Sequence, residues 1–412
     1  MKFLHAADIH LDSPLRGLAA HAHIPREVTD DCTRRAFVNL IDLAIAEDVA
    51  FLIIAGDLYD GDWRDHGTGL FFAREMRRLG RPCYLIRGNH DAQSVITRSL
   101  ILPPNVREFS SRTTETFRLD DLHVALHGRS FPDRAVPEDL SATYPAPRPG
   151  WFNIGVLHTS AEDPGGQHAR YAPCAVESLA AKGYDYWALG HIHQRQELHR
   201  KGDAPIVFPG NLQGRHACEI GAKGATLVEV EHGAIVSLRH VDCDVLRWES
   251  LTLDVAPVPD LPDLYRSVRF ALEVARDAAE ARPLIVRLTL RGATLCHAAL
   301  IADRVQAEAE CRNAAEAVSD KIFLEKLVIE TTPLPDRAAH ADDLAPLRHA
   351  FFAALETSAV QDELLKDFQK MDGKIPADTH DRPRPPLDPA AVAATAAEAW
   401  AIAEAAIRGT PP

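Results

Sequence analysis

Five short apolar runs, each breaking off at a cluster of aspartate, asparagine or histidine, are what most limits how this chain can fold. The runs are Lys2–Ala7, Val49–Ala55, Cys83–Arg87, Asn153–Leu157 and Tyr186–Leu189. They read as strands, and the segments Thr33–Ala46 and Gly69–Leu79 between them carry apolar residues at helical spacing. Strands alternating with helices predict βα units and at least one partly parallel sheet. Immediately after the runs come Asp8-Ile9-His10, Gly56-Asp57-Leu58-Tyr59-Asp60, Gly88-Asn89-His90-Asp91, His158 and Gly190-His191-Ile192-His193. Open α/β sheets bind ligands outside the carboxyl ends of their strands, so these loops are expected to converge on one crevice.

The residue types identify the ligand. Imidazoles, carboxylates and one amide oxygen, with no thiolate, suit Mn, Fe or Zn rather than a soft-metal site or a calcium cage. Asp8, His10, Asp57, Asn89, His158, His191 and His193 are too many donors for one ion with an open position, so two metals fit better. Any one of these short motifs is common by chance. With 23 Gly and 20 His in 412 residues, however, Gly-His-x-His is expected only about 0.05 times at random, before the other blocks are required in order.

The remainder of the first half is expected to be a long surface loop at Pro132–Pro149, with five prolines, and a hairpin of Ala225–Glu231 and Ala234–Val241 around His232-Gly233. Prolines at Val255–Pro262 mark a new start. Beyond them the pattern predicts a helix over Asp263–Ala281, a strand at Leu284–Leu290, a helix over Ala298–Ala317 and a strand at Phe323–Glu330. An amphipathic segment at Leu344–Met371, a linker at Pro376–Pro389 and an Ala-rich helix at Ala390–Arg408 complete the chain. Helices with so little to bury alone suit a partner surface, or form an ordinary helical appendage.

Charge restricts the partners. The formal charge is −14, from 45 Lys+Arg against 59 Asp+Glu, so the molecule as a whole repels polyanions. The arginines at 74, 77, 78, 81 and 87 read as a solvated helix face, and Arg129, Arg215 and His216 as surface basic residues with an alternative role in phosphate contact. Seven scattered cysteines without a C-x-x-C predict reduced thiols and a cytoplasmic protein. No stretch is apolar for the roughly 18 residues of a membrane span, and the amino terminus lacks a signal-peptide core.

The ordered blocks D-x-H, G-D, G-N-H-D, H and G-H-x-H resemble the calcineurin-like metallophosphoesterases. Ala7-Asp8-Ile9-His10-Leu11-Asp12 and the run Phe208-Pro209-Gly210-Asn211-Leu212-Gln213-Gly214-Arg215 are similar to the branch of SbcD-type DNA repair exonucleases. The resemblance implies an α/β fold, a four-layer α+β sandwich over residues 1–245, with a smaller α+β cap domain at 246–335 and a helical C-terminal tail at 336–412. It implies that Asp57 bridges two divalent ions, Mn by family likeness, one held by Asp8, His10 and His193 and the other by Asn89, His158 and His191. His90 would hold the phosphate and protonate the leaving oxygen, an imidazole being suited to that near neutral pH, and Asp91 would orient it or cap a local turn. The implied activity is hydrolysis of DNA phosphodiester bonds by a metal-bridged hydroxide, with DNA as substrate, an SbcC-like ATPase as partner and a homodimer as assembly. Asp60 stands where some relatives carry a histidine tied to exonuclease action, which leaves exonuclease and endonuclease both open. A phosphatase or nucleotide phosphodiesterase acting on small or protein substrates is the alternative. A purely structural metal site is a third.

Overall fold

The computed structural model describes residues 1–15, 18, 23–61, 66–93, 102–161, 171–199, 202, 204–334, 344–372 and 389–407. It divides into two compact units, Met1–Arg16 with Pro25–Trp248, and Gly17–Ile24 with Glu249–Pro412.

Among the described residues the first unit holds twelve strands in two sheets: β1 Lys2–Ala6, β2 Phe51–Ala55, β3 Cys83–Ile86, β4 Val106–Glu108, β5 Glu115–Leu119, β6 Val124–Gly128, β7 Phe152–His158, β8 Tyr186–Gly190, β9 Gln196–Glu197, β10 Ile206–Phe208, β11 Gly224–Glu231 and β12 Ala234–Asp242. The first sheet runs β12-β11-β1-β2-β3-β4 and the second β5-β6-β7-β8-β10-β9. In the first, β1 to β4 are mutually parallel, with pairs such as Leu4 to Leu52 and Ile53 to Tyr84. In the second, β6, β7, β8 and β10 are parallel. The parallel strands of each sheet therefore end on one side. The β11–β12 hairpin turns at His232 and Gly233, both at positive φ (50° and 79°), as a tight type I′ turn requires.

Side-chain alternation builds the layers. Phe3, Phe51, Ile53 and Ile86 face Leu126, Ile154, Val156 and Tyr186 in the seam between the sheets. Phe3 stacks on Phe51 at 5.1 Å and meets Tyr186 edge-on at 5.4 Å. The alternate residues Leu4, Leu52, Ile54 and Leu85 pack outward on the helices Cys32–Ala46 and His66–Leu79. Across the second sheet, Leu157, Trp187 and Leu189 meet Phe131, Val136, Leu140 and Tyr144. This is a four-layer α/β sandwich. It also corrects the expected surface loop at 132–149: Val136, Leu140 and Tyr144 are buried there, packed on the outer face of the second sheet, which no long helix covers among the described residues.

The second unit is a three-stranded sheet of β13 Arg247–Asp254, β14 Leu284–Thr294 and β15 Ile322–Pro333, with β14 and β15 parallel. Leu264, Val268 and Leu272, one face of the helix Leu261–Ala278, pack on this sheet. Asp260 caps that helix by accepting from Asp263 N at 2.9 Å. The single helix expected over Ala298–Ala317 is two helices, His297–Ala302 and Arg304–Val318. Asp303 leaves helical geometry (φ −135°, ψ 79°) and its carboxylate accepts from Gln306 N, starting a new helix where a continuation was expected. The segment expected over Leu344–Met371 likewise divides, into Ala345–Leu355 and Ser358–Asp372, followed by Pro389–Ile407. Phe351 and Trp400 bring two of these helices together at 5.5 Å between ring centroids. The proline linker at 376–388 lies outside the described residues. Among the described residues no helix is long and apolar enough to cross a membrane.

Candidate metal centre

The five loops do meet. Beyond β1, Asp8 N donates to Gly56 O (3.0 Å) and His10 N to Asp57 O (3.0 Å), so the first two strands remain paired while their backbones leave regular geometry. Asp8, His10, Asp57 and His191 all have positive φ (51°, 46°, 50° and 106°). Backbones of this kind cost of order 1–3 kcal/mol each and persist only where their surroundings enforce them. Gly190 is forced by proximity: a Cβ there would collide with Ala55 O, because β2 and β8, from opposite sheets, approach closely at this point.

Among the described residues three groups of donors result, one of them His10 with Asp60 and His90. Asp8, His10 and His193 present ligand atoms within 4.8 Å of one another, and so do Asp57, His158 and His191. Asn89 joins the second group, with Oδ1 3.1 Å from His158 Nε2. Asp57 Oδ2 lies between the groups, 4.0 Å from His10 Nε2 and 3.5 Å from His158 Nε2. All seven donors singled out in the sequence are thus brought together.

The chemistry of this set fits divalent cations. His158 donates from Nδ1 to Ala55 O (2.9 Å), which turns its Nε2 toward Asn89 and Asp57, both oxygen acceptors. His193 is fixed the same way: Nδ1 donates to Glu219 Oε1 at 2.6 Å, leaving Nε2 3.3 Å from His10 Nε2. Burial opposes charge on His158, yet the Asp57 carboxylate beside it outweighs that and pushes its pKa up to about 9. Burial raises the Asp8 carboxyl. It opposes ionisation of Asp57 as well, but the surrounding His158, His10 and His90 hold that carboxyl well below its ordinary range. Burial, reinforced by the Arg215 charge, keeps His10 neutral and able to ligate.

His90 sits at the edge of the two groups, its ring edge-on to His10 at 4.9 Å. Its Nδ1 is 3.0 Å from Asp60 Oδ1, while Asp60 Oδ2 accepts from Ser13 Oγ at 2.8 Å. Burial lowers the His90 pKa, but the hydrogen bond to Asp60 prevails and the net direction is upward. The expectation that Asp91 orients His90 needs correcting. The Asp91 carboxylate accepts from the backbone N–H groups of Tyr59 (2.8 Å), Gly88 (3.1 Å) and Leu58 (3.2 Å), so it braces the two loops and leaves the ring to Asp60.

Two further residues, which no donor motif marks, complete the centre. Arg215 is buried rather than exposed, reaching Ser13 Oγ (3.3 Å) and Glu219 Oε1 (3.1 Å). Glu219 gathers His193, Arg215, Asn211 and His216 around one buried carboxylate. Burial opposes its charge, but the hydrogen bonds from His193 and His216 hold it well below the ordinary carboxylate range. The only signal for Glu219 was its place close behind Arg215-His216; nothing in its spacing marks it as the partner of His193. The expected arginine helix face holds for Arg74, Arg77 and Arg78 alone, since the helix ends at Leu79 and Arg87 follows β3; Arg78, Arg81 and Arg87 each meet an acidic partner, Asp42, Asp48 and Glu108.

Comparison with known proteins agrees with this architecture. Residues 1–195 match the calcineurin-like phosphoesterase family, and residues 248–332 match the family described as the middle domain of the metallophosphoesterase YhaO. A Bacillus subtilis protein described as an uncharacterized metallophosphoesterase YhaO is 36% identical over 301 residues, 71% of this chain and 72% of its own length. The DNA double-strand break repair protein Mre11 of Sulfolobus acidocaldarius is 25% identical over 271 residues, covering 62% of this chain and 66% of its own. That of Methanopyrus kandleri is 24% identical over 330 residues, 72% and 69%. A sandwich whose strand ends carry these donors, matched across both units by YhaO, belongs to the calcineurin-like metallophosphoesterases, a family of hydrolases that use divalent metals.

Proposed function

We propose that this chain is a Mn-dependent DNA phosphodiesterase, acting as a repair exonuclease or endonuclease subunit. The observation that carries the proposal is the placing of His90, held by Asp60, beside two donor groups that share Asp57 Oδ2. Asp8, His10 and His193 would hold one cation and Asn89, His158 and His191 the other, with Asp57 common to both. When bound, such a pair of cations neutralises phosphoryl charge and acidifies a solvent molecule. The residues of the chain supply the rest. Asp60 fixes the tautomer of His90 so that Nε2 is the edge available to substrate, and from there the imidazolium protonates the departing oxygen. Buried Glu219 and Asp91 keep the loops from shifting as charge develops.

Similarity to the Mre11 proteins supports DNA as the substrate, and the helical region at 336–412 would dock an SbcC-like ATPase, with 246–335 as the cap domain and a homodimer as the assembly. The net charge of −14 favours a second reading, a cytoplasmic phosphatase or nucleotide phosphodiesterase for smaller phosphoesters. Cleavage of a 3′-labelled duplex, of bis(p-nitrophenyl) phosphate and of p-nitrophenyl phosphate, with Mn added or withheld, separates the two. Faster turnover of the duplex supports the nuclease; a preference for the monoester overturns it. His90→Ala is expected to keep its bound metal yet lose about 10²–10⁴-fold in turnover of the duplex, and an unimpaired rate would remove the role given to that imidazole.

A further inference from the structure

Three residues beyond His10, the hydroxyl of Ser13 stands between two opposite charges. Ser13 Oγ donates to Asp60 Oδ2 at 2.8 Å, and Arg215 Nη1 donates to Ser13 Oγ at 3.3 Å. A guanidinium has no acceptor, so the one hydroxyl proton goes to the carboxylate and the direction of this link is fixed. All three side chains are buried. With Oδ2 taken by Ser13, the other Asp60 oxygen, Oδ1, is left to His90 Nδ1 at 3.0 Å. Arg215 Nη1 is itself 3.9 Å from Asp60 Oδ2, near enough to pair with that carboxylate directly once the hydroxyl is gone.

The hydroxyl is carried on a rigid mount. Ser13 N donates to His10 O (3.0 Å), closing a turn directly behind the D-x-H block. The preceding Asp12 has φ 61°, a left-handed backbone that persists only where its surroundings enforce it. Here the helix Cys32–Ala46 does so. Arg34 Nε and Nη2 donate to the two Asp12 carboxylate oxygens (2.5 and 2.6 Å), and Asp12 N donates to Thr33 Oγ1 (2.9 Å). Asp60 therefore takes its position from Ser13, which the helix holds still.

We propose that Ser13 is a positioning residue for departure of the leaving group: it keeps Asp60 off Arg215 and aims Oδ1 at His90, so that the imidazole presents Nε2 to the departing oxygen. Without the hydroxyl, Asp60 turns to Arg215 and His90 loses its orienting partner. The role deepens the reading given to His90 above and rests on it. Proton donation matters most for a poor leaving group and little for one that departs readily as an anion. Loss of Ser13 thus has a signature that general loosening of the site lacks.

The test uses the full chain loaded with Mn. Turnover of the phenyl and p-nitrophenyl esters of thymidine 5′-monophosphate is followed, or of phenyl and p-nitrophenyl phosphate should monoesters prove faster, with bound Mn measured in every protein. Ser13→Ala is expected to lose about tenfold in kcat on the phenyl ester, the size of one hydrogen bond to a charged group. On the p-nitrophenyl ester it should lose no more than about twofold, with KM and bound Mn unchanged. Ser13→Thr, which keeps the hydroxyl, should retain most of the rate. Adding Ser13→Ala to Asp60→Ala should cost nothing further, because the two act through one link. Equal losses on both esters, a fall in bound Mn, or additive losses in the double variant overturn the proposal and make Ser13 a packing residue. A normal phenyl-ester rate in Ser13→Ala beside a large loss in His90→Ala overturns the proposal alone. Normal rates in both variants refute the acid role of His90, and the proposal with it.

Discussion

At the scale of single residues, the centre depends on side chains that never meet a cation. Glu219 accepts the Nδ1 proton of His193 and so decides which nitrogen faces Asp8 and His10. Replacing Glu219 by Gln keeps its volume but removes the charge, and should weaken cation binding about 10–100-fold, as loss of such supporting partners commonly does. Calorimetric titration of the apoprotein with Mn measures this directly; unchanged affinity would make Glu219 a packing residue. The contrast between Glu219 and the donors explains what could be read in advance. Asp8, His10, Asn89 and His193 announce themselves through dense, ordered motifs. Glu219 and Arg215 act through a fold-dependent convergence, and Asp60 rather than Asp91 reaches His90 because the loop bearing Asp91 turns its carboxylate onto backbone amides.

At the scale of elements, the apolar runs before each motif marked five strands correctly, because parallel strands buried on both faces read as continuous hydrophobic stretches. Short strands such as β4 and β10, three residues each, carry too little sequence to show a period. What joins the sheets was also invisible in the sequence. Buried His5 on β1 donates from Nε2 to Leu189 O (3.1 Å) and accepts at Nδ1 from the Tyr186 hydroxyl (3.0 Å), tying β1 to β8 just behind the centre. Burial lowers the His5 pKa to about 3 from the ordinary 6.5. The unfolded chain therefore binds the extra proton first as pH falls, so this group's contribution is complete above about 6.5 and is lost progressively toward 3. Thermal stability should decline over that window, and His5→Gln should flatten the decline by up to one proton. Parallel curves for the two proteins would rule out the histidine as a source of acid sensitivity.

For the whole molecule, the centre concentrates negative charge in a protein already at −14. Asp8 and Asp57 are both buried there, and burial raises the cost of ionising each. A cation that binds only the folded state contributes stability by mass action, about 2.7 kcal/mol at a concentration 100 times its dissociation constant. Melting of the EDTA-treated protein with and without Mn should then differ by roughly 5–11 °C, using about 2–4 °C per kcal/mol for a domain of this size. No difference would show that the donors do not bind the ion. The alternation of strands and helices made βα units and a partly parallel sheet legible, and the sandwich followed from the family resemblance, whereas the packed cover at 132–149 was not legible, because its prolines resemble those of an exposed loop.

Both donor groups draw on the two sheets at once: Asp8 and His10 with His193, Asp57 with His158 and His191. Neither half of the sandwich can hold either trio alone. Any fragment that stops short of residue 191 therefore lacks a member of each trio, however well its first sheet folds.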